Sequence, residues 1–259
     1  MPLVRGSRMS EQCCAVAIMA KASVAGTVKT RLVPPLTHQE AAELNTCCLA
    51  DIAANITAAA ERAPIQGFAA YHPIGSERFF ENLLPGDFKL LPPKEPTLGR
   101  SLLHAARDLF AAGFGSVCLV NADSPTLPTD LLVETARRLQ EPGDRVVLGP
   151  AADGGYYLIG LKYFHQRLFE AIDWSTERVY RQTIMRADEI GVPVAALAEW
   201  YDVDDEVTLR LLARELRSGP DATGCYDGGY PAPKTAAFLE KLASANSAVR
   251  HLLPARGNS

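Results

Sequence analysis

The sequence predicts an α/β fold, a single three-layer α/β/α sandwich built on a mostly parallel sheet. Two observations support this prediction. Short apolar runs rich in β-branched residues alternate with longer segments of helical periodicity, and this alternation is typical of a parallel sheet covered by helices on both faces. In addition, 47% of the 259 residues are hydrophobic, which is enough for one continuous core.

Seven apolar runs are the predicted strands. They are short and bounded by polar or turn-forming residues, which favours strands over helices. In chain order they are residues 13–20, 66–72, 88–91, 116–123, 145–151, 156–161 and 192–197.

Seven segments between or after these strands are the predicted helices. The first follows Thr37, whose side chain can cap the helix, and Glu40 three residues later completes a capping box. The helices are expected near residues 38–62, 76–83, 98–112, 129–140, 175–190, 205–217 and 234–247.

The two ends of the chain differ in composition from its centre. The start, "MPLVRGSRMS", has no long apolar segment and contains a second methionine, so residues 1–12 are interpreted as a tag or disordered lead-in. Residues 13–217 are the main domain. From about residue 218 the chain is rich in Gly, Pro and Ala before a last amphipathic helix, so residues 218–259 are predicted to be an extension packed on the same domain.

Composition argues against several classes of protein. The net charge is −4 and the cations are scattered, which does not suit nucleic-acid binding. No stretch reaches the roughly 20 apolar residues of a membrane span. Six cysteines occur without C-x-x-C spacing and without a histidine placed to complete a zinc site, so we expect reduced cysteines and a cytoplasmic protein.

The loop after the first strand, "AKASVAGTVKTRL" (20–32), carries three cations, Lys21, Lys29 and Arg31, together with Gly26. It has neither the Gly-Lys-Ser/Thr of a Walker loop nor a G-x-G-x-x-G fingerprint. Gly26 would still permit close approach of an anion, and the cations could converge on a di- or triphosphate. The alternative is that they are solvated cations on a surface loop.

The fourth strand runs directly into Asp123, within "CLVNADSPTLP". Ligands of such sheets bind at the carboxyl ends of the strands. A carboxylate at this edge could bind a hard divalent ion together with phosphate oxygens. The alternative is that Asp123 only caps the Ser-Pro turn.

Two further segments place polar groups after strands. "LGPAADGGYYLIGL" sets Asp153, Gly154 and Gly155 between two apolar runs, as either a turn that a ligand approaches closely or a plain hairpin. "WYDVDDEV" sets four acids at a helix start, where the helix dipole favours negative charge. One of these acids could instead be the second ligand of a metal held by Asp123.

Six motifs together resemble one bacterial family. They are "KASVAGTVKTRL", "TLGRSLLHA", "NADSPTLP", "LGPAADGGYYLIGL", "IDWST" and "DVDDEVTL". They occur in the order seen in the family DUF2064, also called the glycosyltransferase A family, of the nucleotide-diphospho-sugar transferase superfamily. The resemblance covers most of residues 13–217 and implies a Rossmann-like GT-A fold that binds a nucleotide and a divalent metal.

The resemblance also implies roles for individual residues. The 20–32 loop is similar to the K-[ST]-R-L loop of 2-phospholactate guanylyltransferases. The nucleotide would be bound by Lys21, Gly26, Lys29, Arg31 and Gly99. The metal, Mg²⁺ or Mn²⁺, would be held by Asp123 and Asp204. The sugar or acceptor would contact Asp153, Gly154, Gly155, Tyr156 and Trp174, and the catalytic candidates are Asp153 and Lys29.

Two departures from the superfamily pattern leave open the second metal ligand and the choice between glycosyl and nucleotidyl transfer. Asp205-Glu206-Val207 replaces T-P-E after Asp204, and Asn121-Ala122-Asp123 stands where glycosyltransferases carry D-x-D.

Three functions therefore remain. The chain could transfer a sugar from a nucleotide-sugar to a small acceptor, transfer a nucleotidyl group from an NTP to a phosphate or phosphonate acceptor, or bind nucleotides without turnover. The expected partners are a nucleotide or nucleotide-sugar and a small-molecule acceptor, with a homodimer as one compatible assembly.

Overall fold

The structure is a computed structural model that describes residues 12–94, 97–218, 228–245 and 250. The predicted lead-in lies outside the described residues except for Gln12. Cys225, the first residue of the second "DGGY" (227–230) and the final part of the predicted extension also lie outside them.

Seven strands form one sheet in the order β3-β2-β1-β4-β6-β5-β7. Every pair of neighbours in this sheet is parallel except those of β6, which is antiparallel to both β4 and β5. The predicted mostly parallel α/β fold is thus confirmed. The strands are β1 (Cys14–Lys21), β2 (Ile65–His72), β3 (Lys89–Leu91), β4 (Ser116–Val120), β5 (Val146–Pro150), β6 (Tyr156–Leu161) and β7 (Val194–Ala196).

Seven α-helices accompany the sheet in the described part of the chain. They are α1 (His38–Ala60), α2 (Glu77–Leu83), α3 (Leu98–Ala111), α4 (Thr129–Gln140), α5 (Val179–Glu189), α6 (Glu206–Ser218) and α7 (Pro233–Ala245). The Thr37 capping box is present at the start of α1. The helix predicted from residue 175 begins only at Val179, because Ser175 has a positive φ of 63° that a right-handed helix does not accept.

The helices cover both faces of the sheet. Buried side chains of α1, α4, α6 and α7 form one hydrophobic cluster with β1, β4 and β6, and those of α3 and α5 form a second cluster on the opposite face. This arrangement is the predicted three-layer sandwich. None of the helices in the described part of the chain combines the length and apolar character needed to cross a membrane.

Helix α7 is attached to α1 through a buried carboxylate. Asp51 of α1 is fully buried, and its two oxygens accept the backbone N–H groups of Lys234 (3.1 Å) and Thr235 (2.7 Å) at the start of α7. These N–H groups have no partner within their own helix, so a carboxylate from a neighbouring helix caps α7. Helix α7 therefore packs on α1.

Candidate active site

The carboxyl ends of β1, β4, β5 and β7 bring the predicted site residues to one edge of the sheet. The chain after β7 runs back along this edge, where Trp200 N–H donates to the Pro150 carbonyl (3.1 Å) and Val203 N–H donates to the Asp123 carbonyl (2.8 Å). The segment 200–204 thereby lies beside the loop after β4. Asp204 and Asp123 consequently line the same two cavities, although 81 positions separate them in the sequence.

Lys29 is the most enclosed cation of the loop after β1. Its backbone is left-handed, with φ 47°, and its side chain is only 2% exposed. The ammonium donates to Asp123 Oδ1 (2.7 Å) and to the Val203 carbonyl (2.9 Å). Burial alone would lower the pKa of Lys29, but the adjacent Asp123 carboxylate outweighs it and holds the pKa above its usual value. The reading of these cations as solvated surface groups is therefore wrong for Lys29.

Arg31 lies at the opening of the site and forms an ion pair with Asp204. The Arg31 side chain is 73% exposed, whereas that of Asp204 is 33% exposed. Burial and the nearby Asp123 carboxylate raise the pKa of Asp204, while Lys29 and Arg31 act in the opposite direction. Two predicted phosphate ligands thus neutralise the two predicted metal ligands.

Lys21 and Gly26 shape the same loop. The ammonium of Lys21 donates to the Thr27 carbonyl (2.8 Å), which closes the loop, and Gly26 has a φ of 79° that favours glycine. The three cations line a cavity of about 280 Å³ together with Asn45, Asp123 and Asp204. We call it the loop cavity.

The carboxylates of this edge suit a hard divalent ion. Asp123 and Asp204 offer the oxygen ligands that Mg²⁺ and Mn²⁺ prefer, and Lys29 and Arg31 compensate their mutual repulsion. Across the described residues, no three His, Cys, Asp or Glu side chains lie together as a ready metal site. An ion held here would therefore complete its coordination with ligand oxygens.

Asp202 is a cleft residue that we did not select from the sequence. It is half-buried, and its Oδ1 accepts hydrogen bonds from Asn121 Nδ2 (2.6 Å) and the Ser124 hydroxyl (2.7 Å). Burial raises the pKa of Asp202 to about 7, with further contributions from the nearby carboxylates. The sequence shows that Asp202 stands two residues before Asp204, but it does not indicate which acid of this cluster lines the cavity.

The turn between β5 and β6 is a hairpin that also lines the aromatic side of the cleft, and close approach of a ligand to it stays a prediction. Asp153 Oδ1 accepts the Gly155 N–H (2.8 Å) within the turn. Gly154 has a φ of 88°, and a Cβ built there would lie 2.3 Å from the Glu177 carbonyl oxygen. Glycine is therefore required at this position, and Asp153 and Gly155 line the cleft.

Trp174 and Tyr156 form the apolar wall of a cavity of about 560 Å³, which we call the aromatic cavity. Their rings meet edge to face with centroids 6.5 Å apart. Gly99 is buried beneath the indole, since a Cβ there would lie 2.1 Å from Trp174 Nε1. The structure thus places Gly99 under Trp174, and its predicted contact with a nucleotide stays a prediction.

A third cavity, about 290 Å³, lies at the ends of β1, β2 and β3 and is called the edge cavity. It shares Lys21 with the loop cavity and Leu98 with the aromatic cavity. Its other walls include Tyr71, His72 and His104. Sequence reasoning did not select these residues, because nothing in "YHP" or "LLHA" distinguishes a cavity wall from an exposed surface.

Comparison with known proteins supports the resemblance drawn from the motifs. The profile of DUF2064, described as an uncharacterized protein conserved in bacteria, matches residues 53–176. The predicted resemblance is thereby confirmed. No curated protein matches the chain.

Two solved structures are similar to this one. A protein of Desulfovibrio desulfuricans G20, provisionally described as a nucleotide-diphospho-sugar transferase, is 26% identical, with a TM-score of 0.76 over 94% of this chain and 99% of that one. A nucleotidyl transferase of Methanothermobacter is 17% identical, with a TM-score of 0.53 over 79% of this chain and 99% of that one. The second likeness concerns the fold alone.

Proposed function

We propose that this protein is a metal-dependent transferase that moves a sugar from a nucleotide-sugar to a small acceptor. One observation carries the proposal: the loop cavity and the aromatic cavity meet at Arg31, Asp123 and Asp204, which line both. A cationic cavity suits the donor diphosphate, and the adjoining cavity suits the group that receives the sugar. The similar D. desulfuricans protein, described as a nucleotide-diphospho-sugar transferase, supports the same class of reaction.

The donor would occupy the two cavities on the β1 side. Lys21 and Arg31 would bind the diphosphate in the loop cavity, and a charge-assisted contact of this kind is worth roughly 1.5 to 3 kcal/mol. The edge cavity shares the lining residue Lys21 with the loop cavity, and its aromatic and apolar walls suit a nucleobase. Lys29 would act chiefly by fixing Asp123, because two of its three donors are already used.

The residues that would hold Mg²⁺ or Mn²⁺ are Asp123 and Asp204, and the ion would neutralise the charge that develops on the departing diphosphate. In the transfer, the bond between the anomeric carbon and the phosphate oxygen breaks, and its electron pair leaves with the nucleoside diphosphate. An acceptor oxygen or nitrogen forms the new bond to that carbon. Asp153, which is exposed at the cleft, would take the acceptor proton.

Nucleotidyl transfer is the second candidate, supported by the Lys29-Thr30-Arg31 triplet and by the absence of a D-x-D motif at residues 121–123. A thermal-shift screen with Mg²⁺ or Mn²⁺ separates the two, because a ligand that binds only the folded state stabilises it. We expect nucleoside diphosphates and nucleotide-sugars to raise Tm more than NTPs do, and Lys21→Ala to reduce the shift. A larger shift with NTPs, followed by pyrophosphate release with a phosphate acceptor, would establish nucleotidyl transfer instead.

A further inference from the structure

Acidic residues outnumber cations in the lining of the aromatic cavity. Five acidic residues line it: Asp123, Asp153, Glu177, Asp202 and Asp204. Arg31 is the one cation among its lining residues in the described part of the chain, and Arg31 is already paired with Asp204. A divalent ion at Asp123 and Asp204 would still leave two lining residues, Asp153 and Glu177, without a cationic partner in the lining.

The loop cavity next to it has the opposite character. Three cations, Lys21, Lys29 and Arg31, line that smaller space beside only two carboxylates. Anions are therefore favoured on one side of the Asp123–Asp204 pair and disfavoured on the other, because like charges at short range repel in a partly desolvated site. This difference in charge would distinguish the donor of a transfer reaction, which carries phosphates, from its acceptor.

The apolar wall of the aromatic cavity adds a second requirement. Leu98, Leu102 and Val179 line the cavity together with the Trp174 and Tyr156 rings, and Leu98 is 49% exposed. Exposed apolar and aromatic surface of this kind binds a flat apolar face and also attracts cations over the rings. Neither property suits a small phosphate.

Tyr156, a lining residue of this cavity, carries an unpaired hydroxyl. Its hydroxyl oxygen is buried and has no hydrogen-bond partner among the described residues, although the residue lines the cavity. Burial raises the pKa of Tyr156, so the hydroxyl keeps its proton and can donate. Buried hydroxyls are normally satisfied, and a turn of the Tyr156 ring would be needed before a ligand hydroxyl could bond to this one.

We propose, resting on the function proposed above, that the acceptor is a neutral or positively charged compound with a hydroxyl or amine next to an apolar face, and that phosphate-bearing acceptors are rejected. The acid-rich turn repels anions, Trp174 packs on the apolar face, and Asp153 accepts the proton of the reacting group. This assignment disfavours transfer to a phosphate or phosphonate.

Three probes that differ only in their polar group test the proposal: 2-phenylethanol, 2-phenylethylamine and 2-phenylethyl phosphate. Binding is measured by ligand-observed NMR titration with Mg²⁺ and a saturating nucleoside diphosphate, which fills the loop cavity. We expect the amine and the alcohol to bind at least tenfold more tightly than the phosphate. Trp174→Ala should abolish this binding.

Because Trp174 packs on Gly99, its removal can disturb the fold, so Asp153→Asn provides a second variant. Asparagine keeps an oxygen for the Gly155 N–H but removes the charge, and we expect it to narrow the preference for amine over phosphate severalfold. Tighter binding of the phosphate, or binding of all three probes unaffected by both variants, would overturn the proposal. Nucleotide-induced thermal shifts are read separately, so loss of donor binding would be recognised as failure of the proposed function.

Discussion

The two sides of the cleft are built in different ways. On the loop side, charged groups are fixed by contacts between distant parts of the chain: Lys29 and Asp123 are 94 residues apart, and Arg31 and Asp204 are 173 apart. On the turn side, Asp153 is held by a backbone N–H two residues away. The loop side therefore depends on the completed fold, whereas the turn side depends on local backbone geometry, and the two should respond to different substitutions.

The largest effect is expected from Lys29→Met, which removes the buried cation of the loop side. Breaking a buried pair leaves a carboxylate without its counter-ion and typically costs 3–5 kcal/mol; because Asp123 stays 38% exposed, we expect about 3 kcal/mol. Nucleotide binding should be lost as well. Chemical denaturation measures the stability, and Arg62→Met, which breaks the exposed pair with Asp130, is the control with a cost below about 1 kcal/mol. Equal stability of the Lys29 and Arg62 variants would contradict the interpretation that contacts between distant parts of the chain hold the loop side.

Gly154→Ala tests the turn side. The positive φ and the backbone of Glu177 both oppose a Cβ, so we expect a loss of about 2 kcal/mol together with weaker acceptor binding. Gly143→Ala is a matched control, since Gly143 has a similar φ of 89° but nothing within 4 Å of its Cβ position. If both alanine variants lose the same stability, the Glu177 contact has no part in shaping the turn.

Arg31→Ala tests whether the loop side affects metal binding and nucleotide binding in opposite directions. Asp204 loses its counter-ion, so Mn²⁺ measured by calorimetry without nucleotide should bind severalfold more tightly, while nucleotide affinity falls about tenfold. Lys21→Ala should weaken nucleotide binding alone, because Lys21 bonds a carbonyl and no carboxylate. Weaker binding of both ligands to the Arg31 variant would argue against competition between Arg31 and the ion.

The smallest expected effect is a pH dependence of stability that arises from Glu215, which contacts the loop side. Glu215 of α6 accepts hydrogen bonds from Thr126 (3.0 Å) and Tyr201, which joins the loop after β4 to the segment 200–204. Burial raises the pKa of Glu215 in the fold. Its contribution to stability is therefore full below the unfolded-state pKa, about 4.3, and is lost as pH rises through the folded pKa.

Glu215→Gln keeps an oxygen acceptor for both hydroxyls and avoids this loss. We expect its Tm relative to the wild type to be higher at about pH 8 than at about pH 4.5, with the exposed Glu43→Gln as a control. An equal Tm difference at both pH values would show that the charge of Glu215 does not weaken its contacts with Thr126 and Tyr201.

The secondary structure was readable from the sequence because apolar periodicity directly reflects strands and helices. The strand order was not readable from the sequence. The reversed direction of β6 depends on the geometry of the short turn after β5, which apolar periodicity does not specify. Asp123 and Asp204 were recognisable as a pair through the family motifs. The burial of Lys29, the packing of Trp174 on Gly99 and the exposure of Asp202 to the cavity all depend on contacts across the sheet, which no local pattern specifies.

The reversed β6 has a practical consequence for engineering. The chain leaves β5 and enters β6 at the same edge of the sheet, so residues 151–155 connect two neighbouring strands without crossing the domain. The exposed side chains of Ala152 and Asp153 can be varied in this turn while Gly154 and the strand hydrogen bonds are kept. Libraries confined to this hairpin would diversify the surface next to Trp174 and leave the opposite, cationic half of the cleft intact.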